Sequence, residues 1–166
     1  MEFRDEKPAD QAAIFAVTKA AFETDAEARL IDMLRDDGDL YFSHIGQNET
    51  GIVSHIALSP MDVVGNGNPI KALGLGPVAV EPELQGHGIG SQMVNFAIQW
   101  ATENHWQLII LLGSPQYYSR FGFSAKDAEP FASPFAGQYF QALWLDANVQ
   151  KPQSGRAEYA SAFGRL

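Results

Sequence analysis

The sequence predicts a mixed α/β domain, an α+β mixed sheet with helices on its faces. Three observations carry this expectation. Two apolar runs separated by a short polar turn occupy residues 40–58 and read as a hairpin. From residue 70 to residue 112 an apolar strand, a glycine-rich loop, a helical pattern and a second apolar strand follow one another, the order of a crossover connection. Hydrophobic residues make up 46% of the 166-residue chain, enough for a substantial core, and 19% are charged, which is not a disordered composition.

The elements follow in order. Phe3-Arg4 reads as a short strand. Pro8-Ala9-Asp10 opens a helix whose Ile14, Phe15, Val17 and Ala21 are spaced for one buried face. Glu27 to Arg35 forms a second helix with Leu30, Ile31 and Leu34 on its apolar side, and Asp37-Gly38-Asp39 ends it. Leu40 to Ile45 is a strand, Gln47 to Gly51 a turn, and Ile52 to Leu58 the hairpin partner, with Val63-Val64 continuing the pairing. Gly65 to Pro69 is a further turn. Ile70 to Val80 is a strand that contains Gly74, Gly76 and Pro77, so a bulge or a break in pairing is expected there.

Ser91 to Glu103 is a helix with Met93, Val94, Ala97, Ile98 and Ala101 in one stripe. Leu108 to Leu112 is a continuous apolar strand, expected to be covered on both faces. Pro115 to Arg120 has room only for a short helix, Phe121-Gly122-Phe123 begins another strand, and Phe140 to Leu145 is one more. Arg156 to Phe163 supplies an edge strand or packs loosely. No repeat or linker interrupts the chain, so one domain over 1–166 is expected, with a core over 1–147 and a C-terminal extension.

Composition excludes several classes. Cysteine is absent, which removes disulfides, thiolate metal sites and a cysteine nucleophile. The net charge of −9 argues against a nucleic-acid binder. No apolar run is long enough for a membrane span, and MEFRDEKPAD does not read as a secretory signal, so a cytoplasmic protein is expected. His44, His55, His87 and His105 show no helical metal-ligand spacing, so no metal is expected. Acidic residues cluster between Glu23 and Asp39. They read either as a solvated helix face or as a rim that attracts a cationic substrate.

The stretch LQGHGIGS (84–91) carries the chemistry. A glycine-rich turn between strand and helix presents unpaired N–H groups at the positive end of the helix dipole, which favours a phosphate. A tight turn without a ligand is the plainer alternative, but three alternating glycines beside Ser91 favour the anion site. A P-loop would need a lysine after its last glycine, and none is there. A dinucleotide fingerprint starting at Gly86 and Gly88 would need glycine where Ser91 stands.

Gln85-Gly86-His87-Gly88-Ile89-Gly90 does match the Q/R-x-x-G-x-G/A motif, and the chain resembles the GCN5-related N-acetyltransferases (GNAT). Val78-Ala79-Val80-Glu81-Pro82 before the loop and the long helix after it fit that context. So does Tyr117-Tyr118-Ser119-Arg120-Phe121-Gly122-Phe123, which is similar to the family's F-Y-x-x-x-G-F signature. The pairing of LGLGPVAV with LGSPQYYSRFGF is similar to the YhbS-type branch, and the likeness spans nearly the whole chain.

The resemblance implies the acyl-CoA N-acyltransferase fold: a mostly antiparallel, twisted central sheet with a splayed parallel pair and flanking helices. It implies acetyl-CoA as co-substrate, held by Gln85, Gly86, His87, Gly88, Ile89, Gly90 and Ser91 at its pyrophosphate. The backbone of Val78, Ala79 and Val80 would take its pantetheine arm. Tyr118 aligns with the general acid that serves the leaving thiolate. Several family members carry a base glutamate on the strand before the loop, but Ala72 to Val80 has no carboxylate. His55 is one substitute, or a core histidine. Glu27 lies where the family shapes its acceptor pocket, and it either binds an amine or favours its helix N-terminus electrostatically. A water chain is a third way to supply the base. The implied function is transfer of an acetyl group to a primary amine of a small molecule or peptide, with a non-catalytic acyl-CoA sensor as the alternative and a homodimer left open. Neither nucleic acid nor membrane is an expected partner.

Overall fold

The computed structural model describes all residues, Met1 to Leu166. In chain order the elements are β1 (Glu2–Asp5), α1 (Gln11–Ala21), α2 (Ala26–Asp37), β2 (Phe42–Asn48), β3 (Gly51–Gly65), β4 (Asn68–Val80), α3 (Ile89–Glu103), β5 (Leu108–Leu112), α4 (Pro115–Tyr118), α5 (Ala125–Ala128), β6 (Phe131–Ala132), β7 (Phe140–Trp144) and β8 (Gly155–Tyr159), with short 3-10 turns among them. Hydrogen-bonded neighbours run β1-β2-β3-β4-β5-β7, and β8 pairs with both β3 and β6. The β4–β5 and β6–β8 pairs are parallel. The expected mixed sheet with flanking helices is present.

Two compact units divide the chain, and β3, β4 and α3 each run through both. The first comprises Met1–Ser59, Leu75–Ala97 and Ala160–Leu166. Here β1 and β2 pair antiparallel, and β2 pairs with β3 from Phe42↔Leu58 to Asn48↔Gly51. Side chains alternate across a strand, so the partners Ile45 and His55 face the same side. Ile45 packs there with Ile14 of α1 and Ile31 of α2. On the opposite side the rings of Phe3 and His44 lie 5.1 and 5.2 Å from that of Phe96 of α3, each tilted against it. In α1 the buried face is Ile14, Val17 and Thr18, while Phe15 and Ala21 stay half-exposed. The tail is not loose in this unit, because Ala162 is buried against Leu30 and Leu34 of α2.

The second unit comprises Pro60–Gly74 and Ile98–Tyr159. Pairing of β4 with β5 lasts only from Ala72↔Leu108 to Gly74↔Ile110. β5 pairs fully with β7, and Leu108 to Leu111 are at most 1% exposed, as a strand covered on both faces requires. Leu112 departs from that expectation at 44% exposed. β8 lies between β3 and β6 rather than at an edge.

The strand expected from Phe121 does not form. Ser119–Phe121 is a 3-10 turn, and Ser124 then caps α5 by accepting the Asp127 N–H at 3.1 Å. That cap turns the chain into a helix after one bridge between Ser124 and Ala142. The hairpin partner is also longer than expected: β3 runs unbroken past Pro60 to Gly65.

Candidate functional site

The glycine loop belongs to the first unit and follows directly from the end of β4. Glu81 donates its N–H to the Val53 carbonyl at 2.8 Å, which anchors the exit from the strand. The Gln85 amide donates to the Val80 carbonyl at 3.0 Å and ties the loop back to the strand that precedes it. Gly86 and Gly88 have φ of 80° and 84°. A side chain added at either would meet open space, so the backbone conformation and not crowding selects glycine. Gly90 lies inside α3 and needs no such conformation.

His87 is exposed, and its Nδ1 lies 3.2 Å from the Leu84 carbonyl and 3.0 Å from that of Gln85. Carbonyls only accept, so Nδ1 carries the proton and the ring braces the loop from outside. With α3 beginning at Ile89, the Gln92 N–H closes the first turn on the Gly88 carbonyl at 3.1 Å, and the N–H groups of Ile89 and Gly90 come ahead of the first intrahelical bond. The arrangement is a row of backbone donors at the positive end of a fifteen-residue helix.

Ala79 and Val80 point their side chains into the core, at 0% and 9% exposure, and Val78 is half-buried. Beyond Gly74 no residue of β4 pairs with β5, so Val78 to Val80 have no strand partner on that side, although the Val80 carbonyl is taken by the Gln85 amide. The break expected from Gly76 and Pro77 falls at this point. An edge of this kind can accept an extended ligand as an added strand.

Glu27 sits in the first turn of α2. One of its carboxylate oxygens, Oε2, is shielded from solvent and has no hydrogen-bond partner. A shielded carboxylate oxygen without a donor is poised to take one from a cation.

His55 is fully buried on β3. Its Nε2 lies 2.8 Å from the Ser43 hydroxyl, and that hydroxyl donates to Glu6. Ser43 has only one proton to give, so Nε2–H must be the donor to Ser43, and Nδ1 is left as a lone pair without a partner. Arg35 completes the line, donating to Glu6 at 2.8 Å and to Asp32 at 2.5 Å. Burial, with Arg35 and His44 adding repulsion, pushes the His55 pKa down to about 3, so the ring is neutral at ordinary pH. Glu6, Ser43 and Arg35 carry no local sequence motif, which is why sequence reasoning missed them. No hydrogen bond joins His55 to Glu27.

Tyr118 lies in the second unit, at the end of α4. Its ring packs so closely on Gly113 that any side chain there would collide with it. Tyr117 and Phe123 meet it edge-on. Burial first, and Tyr117 second, push the Tyr118 pKa up to about 12. The phenol therefore keeps its proton throughout the neutral range and acts as a hydrogen-bond donor. Beside it, the Arg120 guanidinium lies 4.5 Å from the centroid of the Tyr117 ring.

Comparison with known proteins bears on this arrangement. A family profile described as an acetyltransferase (GNAT) domain matches residues 2–125. The uncharacterized N-acetyltransferase YhbS of Escherichia coli K12 is 32% identical over 169 residues, covering 100% of both chains. The crystal structure of YhbS from Escherichia coli in complex with CoA superposes with a TM-score of 0.87 at 30% identity, over 99% of this chain and 92% of that one. A GNAT family acetyltransferase from Brucella melitensis in complex with acetyl-CoA superposes at 0.79 with 31% identity, over 98% and 97%.

Proposed function

The chain belongs to the GNAT N-acetyltransferases, and on that premise we propose that it transfers the acetyl group of acetyl-CoA directly to a primary amine. The observation that carries this reading is the donor row itself: positive-φ glycines at 86 and 88 open onto the first turn of α3. In this reading the N–H groups from Gly86 to Ser91 hold the donor's pyrophosphate. The Gln85 amide nitrogen and His87 Nδ1 are spent on carbonyls of the strand and loop, so in this reading both side chains first of all shape the loop.

The edge of Val78, Ala79 and Val80 without a strand partner pairs with the pantetheine amides. The N–H near Val80 polarises the thioester carbonyl, as an oxyanion donor does. The Glu27 carboxylate orients a cationic acceptor at the shielded Oε2. Once the amine has lost a proton, its lone pair attacks the carbonyl carbon and the carbon–sulfur bond breaks with both electrons on sulfur. The Tyr118 O–H donates to that sulfur. A phenol near 12 is a weaker acid than a thiol near 8.5, so Tyr118 stabilises the thiolate by hydrogen bonding more than by complete transfer. His55, neutral and buried, is a poor proton acceptor, so water fits the base role better.

Free-thiol release from acetyl-CoA against a panel of amines tests the reading. Release should depend on the amine, and Tyr118→Phe should lower kcat about a hundredfold with little change in KM for acetyl-CoA. Stabilisation of the fold by CoA without thiol release across a broad panel would favour the acyl-CoA sensor instead.

A further inference from the structure

Gln141 is a fully buried polar side chain in β7, and the chemistry above makes no use of it. On its side of the sheet the neighbours are apolar: Leu111 stands across from it on β5, and Leu143 follows two residues on. An amide in such surroundings is costly unless it is hydrogen-bonded. Its Nε2 donates to the Gly113 carbonyl at 2.9 Å.

Gly113 lies one residue beyond β5, where the strand pairing ends. Its N–H gives to the Tyr139 carbonyl at 3.0 Å and its carbonyl receives Gln141, so both polar groups of this residue are held. Ser114 comes next and opens α4, and its carbonyl accepts the Tyr118 N–H at 3.0 Å. The orientation of the Gly113–Ser114 peptide therefore sets the turn that carries Tyr118. A direct contact adds to this. A side chain at 113 would collide with Cε2 of Tyr118, while φ at Gly113 is not positive, so the Tyr118 ring and not the backbone requires glycine there. The bare Cα is a seat for the ring. Tyr117 and Phe123 flank it with centroids 4.9 and 6.0 Å away. No protein group bonds the Tyr118 hydroxyl, so packing of the ring alone aims it. All of these residues lie in the second unit.

We propose that Gln141 is a positioning residue for the acyl transfer: its amide fixes the Gly113 carbonyl and, through that seat, sets where the Tyr118 O–H points. The proposal rests on the reading of Tyr118 as the group that donates to the leaving sulfur, and it adds the side chain that aims it.

A mutant cycle in Gln141 and Tyr118 tests it, read as thiol release from acetyl-CoA with an amine that the wild type accepts. Gln141→Leu keeps the bulk and removes the N–H. It should lower kcat about tenfold and move KM for acetyl-CoA by less than about twofold. In the Tyr118→Phe background the same change should lower kcat no further, because the hydroxyl it aims is gone. A second readout needs no acceptor. In protein labelled with 3-fluorotyrosine, the fluorine signal that disappears in Tyr118→Phe should shift in Gln141→Leu. Gln141→Met, also without an N–H but pliable in a core, should give the same shift and the same fall in kcat, and it carries the test where the leucine variant fails to fold. An undiminished kcat, an equal fall in both backgrounds, or an unmoved Tyr118 signal overturns the proposal. Full kcat in Tyr118→Phe is the separate result that overturns the Tyr118 reading itself.

Discussion

Between Gln85 and Ser91 the groups proposed to bind belong to the backbone, and Gln85 to Gly88 are exposed. Along Glu6, Arg35, Ser43 and His55 the polar groups belong to side chains and face inward. Open N–H groups cost little where water can take them, so a loop can keep a row of them ready for a ligand. The same openness inside the protein costs about 1–3 kcal/mol per group. The buried line therefore satisfies nearly all of its atoms, leaving only His55 Nδ1 and one Arg35 nitrogen without partners. In the proposed reading the first region binds, while the second ties Glu6, α2, β2 and β3 together. The difference shows that an array of unpartnered polar groups marks a binding site only where something can reach it.

The largest expected effect breaks the buried line. Glu6→Ala removes the acceptor shared by Arg35 and Ser43 and leaves a shielded guanidinium short of a partner. Chemical denaturation should show a loss of about 3 kcal/mol, with affinity for acetyl-CoA unchanged in the folded protein. A fall in affinity without a fall in stability would mean that the line serves the ligand.

Acid titration separates the regions next. The His55 pKa in the folded protein is near 3, below its value of 6.5 when unfolded. The unfolded chain therefore binds the extra proton between those values, and stability falls as pH drops from about 6.5 toward 3. The contribution is as much as about 1.4 kcal/mol per pH unit. In His55→Gln that part of the slope should vanish, as measured by denaturation from pH 7 to pH 4. An unchanged slope would mean that His55 is already charged in the fold.

Gly88→Ala should do the reverse of Glu6→Ala. Forcing a side chain to φ of 84° costs about 1 kcal/mol, and the reshaped loop should bind acetyl-CoA several-fold more weakly. Gly90→Ala, within the helix, should leave the loop conformation alone. Equal affinities for the two variants would contradict the division of labour among the glycines.

Both regions also differ in how far they could be read from the residues. The loop's turn was legible because its glycine spacing is local, and Gly86 and Gly88 do take positive φ. The hairpin and the crossover were legible for the same reason, since both are set by neighbours in the chain. The buried line was not, because Ser43 lies 37 residues from Glu6 and 12 from His55, and Arg35 lies 29 from Glu6. His55 could be singled out as a titratable group on a strand, but its proton is fixed by partners no local pattern announces. The break after Phe121 was missed for a smaller reason: the Ser124 cap on Asp127 outweighed two aromatic residues that favour a strand.

In the proposed reading the loop's backbone amides, rather than any side chain, receive the acyl donor. Amide proton–nitrogen spectra recorded during titration with acetyl-CoA test it most directly. Shifts should concentrate at Gly86 to Ser91, with still amides at Glu6, Arg35, Ser43 and His55 and no comparable response to NAD or ATP. Loop amides that stay in place while acetyl-CoA perturbs another surface would contradict it.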